Sequence, residues 1–223
     1  MSSNEMINPR ITAIMPSVEG FIELCECREF PIHSTIAKTG EPSRGFFLVL
    51  EGIVTVTLEG ESEEQSLILN YVNPGEFFGE VGLFRQATKN RFATLKAKTH
   101  CRLAEIRYDK FRRIQRHHPD IMYAIGNQMA DRLEHTTHKL QNLAFADVKS
   151  RITQALQELC LQPEAKTHPE GIQIKVSRLE LSRLAGCSRE VSGRMIKLLE
   201  KEGLIAVNGH TMLVYDSPPV SNV

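Results

Sequence analysis

The sequence predicts an α+β protein built in three successive parts, and three features carry that prediction. Short apolar runs punctuated by glycine and proline fill residues 30 to 106. One narrow apolar seam at helical spacing runs through residues 119 to 145. The last third holds capped helical segments followed by a hairpin signal. At 223 residues, with 41% hydrophobic and 24% charged residues, the chain has the balance of a globular protein with room for two modest cores.

The first part contains Phe47-Leu48-Val49-Leu50, Ile53–Leu58 and Leu67-Ile68-Leu69, separated by Glu51-Gly52, Glu59-Gly60 and Asn73-Pro74-Gly75. Many short strands joined by turn chemistry predict a β-barrel or sandwich. In the second part Pro119 suits a helix's first turn, where its missing N–H costs nothing. Met122, Met129, Thr136 and Leu143 then recur every seven residues, with Gly126, Leu133 and Leu140 interleaved. This 4-3 seam predicts that two copies pair along the helix, Gly126 permitting close approach; the alternative is a helix packed only on its own domain. In the third part Asp147 can cap a helix with Val148, Ile152, Leu156 and Leu159 on one stripe. Ser177-Arg178-Leu179-Glu180 is a capping-box pattern opening a second helix that stops at Gly186, and Ser188 can cap a third that runs to about Glu202. Ile205-Ala206-Val207 and Met212–Tyr215 flank Asn208-Gly209, a strong hairpin signal. Residues Ser217–Val223, with two prolines, predict a loose tail.

Composition excludes several classes. No run approaches the roughly 18 apolar residues of a membrane span; the longest apolar stretch, Gly45 to Leu58, carries Glu51. The opening MSSNEMINPRI has no basic start followed by an apolar block, which predicts a cytoplasmic chain without a secretory signal. Cys25, Cys27, Cys101, Cys160 and Cys187 form neither a disulfide framework nor an iron–sulfur ligand group. Asp131, His135 and His138 share a helical face and could grip a metal, but their heptad positions predict a solvated face, so no metal is expected. No nucleophile–base pair, metal triad or P-loop predicts an enzyme, and no catalytic residue is assigned. The net charge is +0, so any nucleic-acid binding must come from a local basic surface.

Such a surface is legible in Ser177–Lys201. Two helices joined by a tight turn at Gly186-Cys187 form a helix-turn-helix, with small Ser182 and Ala185 allowing a close crossing. The last helix presents Arg189, Glu190 and Arg194 on one exposed face. Arginine can bond bidentately to guanine O6 and N7, and glutamate can accept from cytosine N4. Lys197 and Lys201 extend that face toward phosphates, and the following hairpin, with His210 near its tip, is a wing. The competing class is a ligand-binding module whose C-terminal part serves protein contacts only.

At these residues the chain resembles the cyclic AMP receptor protein (CRP) family of the CRP/FNR regulators. The stretches that carry the resemblance are GEFFGEVGLF (Gly75–Phe84), KLQNLAFADV (Lys139–Val148), THPEGIQIKVSR (Thr167–Arg178) and GCSREVSGRMIKLLE (Gly186–Glu200), within a span from about Arg28 to Tyr215. The resemblance implies a cyclic-nucleotide-binding β-roll, double-stranded and jelly-roll-like, over residues 1–118. It implies a dimerisation helix and hinge over 119–145, and a winged helix-turn-helix DNA-binding domain over 146–223. It further implies a homodimer acting as a transcription activator on double-stranded DNA, at palindromic TGTGA-like sites, and contacting RNA polymerase.

By the same resemblance the effector is cyclic AMP. Gly79 and Glu80 would face the sugar, with the Glu80 carboxylate on the 2′-hydroxyl. Arg91 would pair the phosphate, and Thr136 and Thr137 would bond the adenine, one from each subunit. The DNA-contacting set would be Arg178, Ser188, Arg189, Glu190, Arg194 and Lys197. Phe92 departs from the pattern, standing where members that bind cyclic AMP usually carry serine, and the loop between Phe84 and Arg91 is one residue longer. Relatives altered here answer to another nucleotide, such as cyclic di-GMP, or need no ligand, and both alternatives stay open. Thr167–Gly171 resembles the family's polymerase-contacting loop. Arg28 and Lys110 fit a second, basic contact surface, although Glu26 occupies a position that is normally basic.

Overall fold

A computed structural model describes residues 13–61, 65–85 and 90–215. The described residues fall into two units, one within Met1–Leu58 and Leu69–Thr136, the other within Glu59–Ile68 and Thr137–Val223. In the first, α1 (Val18–Glu23) precedes β1 (Glu26–Phe30), β2 (Thr35–Ala37), β3 (Gly45–Glu51), β4 (Val54–Leu58), β5 (Leu67–Val72), β6 (Phe77–Phe78), β7 (Thr94–Ala97) and β8 (Cys101–Arg107). The strands form two sheets, β1-β8-β3-β6 and β2-β7-β4-β5. Two helices follow, α2 (Tyr108–Ile114) and α3 (Pro119–Phe145), the second of which belongs to this unit as far as Thr136. This is the predicted two-sheet roll.

The unbroken apolar run of β3 has a direct cause: both of its faces are buried. Phe47 and Val49 point to one side and join Val54, Val56, Leu95 and Ala97 in the core between the sheets. Phe46, Leu48 and Leu50 point to the other and join Phe21 of α1, Phe111 of α2 and Ile121, Ala124 and Ile125 of α3. There the rings of Phe21, Phe46 and Phe111 meet edge to face at 5.0–5.8 Å wherever Phe111 is a partner.

The seam predicted on α3 divides. Met122 and Met129 pack in part against the core of their own unit. Gly126 and Thr136 are exposed, as are Leu133 at 70% and Leu140 at 66%. Packing on its own unit therefore accounts for one face of the helix, and an open apolar strip lies on another.

In the second unit α4 (Val148–Cys160) is followed by β9 (Lys166–His168), β10 (Gly171–Lys175), α5 (Arg178–Ala185), α6 (Arg189–Lys201), β11 (Ile205–Asn208) and β12 (Thr211–Tyr215). The predicted caps are in place. Asp147 accepts from the Ser150 N–H at 2.7 Å, Ser177 from Glu180 at 3.0 Å and Ser188 from Val191 at 3.2 Å. Ile152, Leu156 and Leu159 are buried as the stripe requires. Gly186 ends α5 in the left-handed conformation (φ 61°, ψ 48°), which favours glycine.

Two details differ from the sequence reading. The strands form one antiparallel sheet in the order β11-β12-β10-β9, whereas only the last hairpin was expected. Second, Asn208 pairs with Thr211, so the two-residue loop is Gly209-His210. Positive φ falls at its first position, Gly209 (63°), and at no other residue of the loop, the requirement of a type II′ rather than a type I′ turn. The predicted loose tail and the interior of the longer loop, residues 86–89, lie outside the described residues.

Replacing Ser177 with Ala removes the hydroxyl that accepts the Glu180 N–H at the start of α5 and should lower stability by about 1 kcal/mol in urea denaturation. A wild-type midpoint would show that the cap contributes nothing here.

Candidate ligand pocket and nucleic-acid interface

The pocket grows from the turn after β6. Gly79 sits at φ 81° and leads into a 3₁₀ turn, Glu80–Phe84. A Cβ on Gly79 would stand 2.9 Å from Arg91 Nη1 and 3.3 Å from the Gly45 carbonyl oxygen, and the backbone angle favours glycine whatever the space. The Tyr108 hydroxyl donates to the Gly79 carbonyl and lies 2.6 Å from Ser43 Oγ. Burial pushes the Tyr108 hydroxyl above its ordinary pKa, although the Ser43 contact and nearby Arg91 oppose that shift.

Glu80 is the unusual residue. It is 4% exposed, and its Oε1 accepts from Arg132 Nη1 at 3.0 Å, while Oε2 is buried without a hydrogen-bond partner. Arg132, on α3, also donates to the Phe77 carbonyl, and one helical turn earlier Gln128 accepts from the Phe77 N–H (2.8 Å) and donates to the Gly75 carbonyl (3.2 Å). Together they clamp the Gly75–Glu80 turn to α3. Burial raises the nearby Glu76 carboxyl above the usual range, opposed by the Asn73 N–H and by Arg132.

Arg91 is fixed through its backbone, its N–H donating to Glu41 and its carbonyl accepting from Gly40, each at 2.8 Å. Its guanidinium lies 5.6 Å over the Phe47 ring and donates to the Gly45 carbonyl at 3.4 Å. Among the described residues most of its five N–H donors remain unbonded. The half-open space beside it is about 560 Å³, with Leu69, Phe78, Ala93 and Leu95 supplying apolar wall. Phe92 stands at the rim, 59% exposed, and does not plug it.

Of the sequence-predicted residues, Gly79, Glu80, Arg91, Phe92 and Thr136 all line this space. Thr137 does not. It is exposed and lies about 100° further round α3, so a role in this chain's own pocket is not seen. Arg132 and Gln128 went unread in the sequence, although their i, i+4 spacing on a face apart from the seam was a usable signal.

In the second unit, α5 and α6 cross closely because Ser182 and Ser192 are buried where they meet, and the Cys187 N–H donates to the Ser182 carbonyl at 3.0 Å. Ile196 and Leu199 bury the inner face of α6. Arg189, Glu190, Arg194 and Lys197 are exposed on the outer one. Exposed Arg178 joins them: its Cδ is 3.8 Å from where a Cβ on Gly193 of α6 would stand. The Ser188 hydroxyl accepts the Val191 N–H as the helix cap.

The expected polymerase loop is the β9–β10 hairpin, with His168 paired to Gly171 and the Glu170 N–H donating to His168 Nδ1 at 3.2 Å. On the expected second surface Arg28 pairs with Glu105 at 2.9 Å, and Lys110 donates to the Leu24 carbonyl at 2.6 Å. Among the described residues no group of three or more His, Cys, Asp or Glu is arranged to hold a metal, and no helix is long and apolar enough to cross a membrane.

A two-sheet roll with a largely apolar pocket that holds Glu80 and Arg91, followed by a helix-turn-helix and wing, defines a ligand-responsive DNA-binding regulator. Residues 27–118 match the cyclic nucleotide-binding domain model, and residues 150–218 match the Crp-like helix-turn-helix domain model. The cAMP-activated global transcriptional regulator Vfr of Pseudomonas aeruginosa is 44% identical over 193 residues, 86% of this chain and 90% of that protein. The cAMP-activated regulator CRP of Salmonella typhimurium is 44% identical over 200 residues, 90% and 94% of the two chains. Among solved structures, the c-di-GMP-responsive global regulator CLP of Xanthomonas campestris superposes with a TM-score of 0.84 at 38% identity, covering 91% of this chain and 99% of that one. The chain belongs to the CRP family of transcription regulators, a family without enzymatic activity, and its effector class is a cyclic nucleotide.

Replacing Arg132 with Leu would leave the Glu80 carboxylate buried and unpaired, which should cost about 3 kcal/mol of stability in chemical denaturation. Adding Glu80→Gln should recover part of that loss, and full additivity of the two changes would show that the pair is not coupled.

Proposed function

We propose that this chain is a homodimeric transcription activator controlled by cyclic AMP, reading palindromic TGTGA-like DNA and contacting RNA polymerase. The observation that carries the ligand assignment is Glu80, a buried residue lining the cavity whose Oε2 has no hydrogen-bond partner. A buried carboxylate oxygen without a donor is costly, and a ribose 2′-hydroxyl is the donor it lacks. Arg91, whose guanidinium makes one hydrogen bond among the described residues, supplies donors for a cyclic phosphate, the apolar wall suits a purine, and Thr136 offers a hydroxyl to the base. Thr137 would serve the pocket of a second copy.

Pairing of two copies is supported by the open strip Gly126–Leu133–Leu140, where nothing lies within 4 Å of a Cβ placed on Gly126. Arg189, Glu190 and Arg194 would read base edges, while Arg178, Ser188 and Lys197 would hold the phosphate backbone. The β9–β10 hairpin is the surface offered to polymerase. A second reading, cyclic di-GMP as effector, is favoured by one observation: Phe92 puts an exposed aromatic ring where a small phosphate donor would stand. The CLP regulator of Xanthomonas campestris, 38% identical, responds to that nucleotide.

Calorimetry of the purified protein separates these readings. Arg91→Leu should nearly abolish cyclic AMP binding. Phe92→Ser should tighten it about ten- to hundred-fold, the effect of one hydrogen bond to a charged group. If cyclic di-GMP alone binds, the cyclic AMP assignment fails. For DNA, Arg189→Ala or Arg194→Ala should each cost about 1–3 kcal/mol on a cognate palindrome and little on random DNA in gel-shift titrations. Equal losses on both would make these residues phosphate contacts.

A further inference from the structure

The pocket carries more positive charge than a cyclic mononucleotide can neutralise. The charged residues that line it are Glu80, Arg85, Arg91 and Arg132. Glu80 and Arg132 bond each other at 3.0 Å, which leaves Arg85 and Arg91. A cyclic mononucleotide brings a single phosphodiester charge, and Arg91 is the cation assigned to it. Arg85 is then a second cation in the wall of the same cavity, with no anion to meet. Its backbone is held in place. It follows the 3₁₀ turn Glu80–Phe84, whose Leu83 is buried in the core. Arg112 of α2 donates from Nη2 to the Leu83 carbonyl at 2.9 Å and to the Arg85 carbonyl at 3.3 Å. The Arg85 residue itself is exposed, and among the described residues no ion pair engages its guanidinium.

An exposed arginine is ordinarily just solvated. The other exposed residues of the same lining set this one apart. Phe92 is 59% exposed and Asn90 is exposed, and both line the cavity. An aromatic ring left open at a pocket mouth is a platform on which a nucleobase can stack. A guanidinium beside it matches a phosphate by charge and by its forked donors, and an amide adds a further donor. Ring, cation and amide together offer what the base and phosphate of one nucleotide require. They stand outside the buried Glu80, which with Arg91 already provides for the sugar and phosphate of another.

We infer that Arg85, Asn90 and Phe92 form a second-nucleotide subsite at the pocket mouth, so that the cavity also takes cyclic dinucleotides. One nucleotide sits on Glu80 and Arg91, and the other on Arg85 and Phe92. This inference rests on the cyclic-nucleotide reading of the pocket, and the test keeps the two apart. Full-length wild type, Arg85→Gln and Phe92→Leu are titrated by calorimetry with cyclic AMP, cyclic di-AMP and cyclic di-GMP. Cyclic AMP and cyclic di-AMP share a base, so the comparison isolates the second nucleotide. The wild type should bind cyclic AMP and at least one of the dinucleotides. Arg85→Gln should weaken that dinucleotide about ten- to hundred-fold, the effect of one hydrogen bond to a charged group. It should leave cyclic AMP affinity nearly unchanged, because an exposed charge that touches no ligand is screened. Phe92→Leu keeps an apolar side chain but removes the ring, and should weaken the dinucleotide about ten-fold through lost stacking. Cyclic AMP binding by Arg85→Gln also reports that the variant is folded. If the wild type binds cyclic AMP and neither dinucleotide, or Arg85→Gln weakens all ligands alike or none, the inference is overturned and the pocket reading stands. If the wild type takes up no nucleotide, the pocket reading falls and the inference falls with it.

Discussion

The Glu80–Arg132 pair is the interaction on which the regulatory half of this protein depends. It joins a residue at the start of a 3₁₀ turn to a residue 52 positions later on α3, and it holds one carboxylate oxygen while leaving the other buried and unmatched. A fully satisfied pair would be structural. This one is half satisfied, and both of its residues line a cavity of ligand size. Arg132 also bonds the Phe77 carbonyl, so whatever engages Glu80 acts on a group wired directly into the helix.

That helix carries three roles on its surface. Ile121, Ala124 and Ile125 anchor it in the aromatic core around Phe46 and Phe111. Gln128 and Arg132 hold the Gly75–Glu80 turn. Gly126, Leu133 and Leu140 form the open strip. At 3.6 residues per turn, one helix can turn different sides to the core and to the strip, and Leu133 of the strip also lines the pocket. Thr136 lies where the pocket side meets the strip, which makes it the natural position for a ligand to influence pairing. The helix then ends at Phe145, and Asp147 starts α4 after a single intervening residue.

What the sequence made legible was local chemistry. Asp147, Ser177 and Ser188 announce helix starts because a cap is a contact across three residues, and Gly186 announces a stop for the same reason. The outward face of α6 was readable from spacing alone. The double burial of β3 was visible as an unbroken apolar run, though not which partners covered each face. Contacts between distant segments were not legible: nothing near Arg132 in the chain announces Glu80. Ile172-Gln173-Ile174-Lys175-Val176 alternates as a strand does, but its pairing with β9 and β12 is a contact between separate segments. The wing register slipped by one because Asn-Gly has a strong type I′ preference, whereas here Gly209 opens a type II′ loop.

The central claim is that the free oxygen of Glu80 awaits a ribose hydroxyl. Calorimetry of the wild-type protein against cyclic AMP and its 2′-deoxy analogue tests it most directly, because the two ligands differ by that hydroxyl alone. A hydrogen bond to a charged, desolvated group is worth about 1.5–3 kcal/mol, so the analogue should bind roughly ten- to hundred-fold more weakly. Equal affinity for the two ligands, or no uptake of either, would contradict the account.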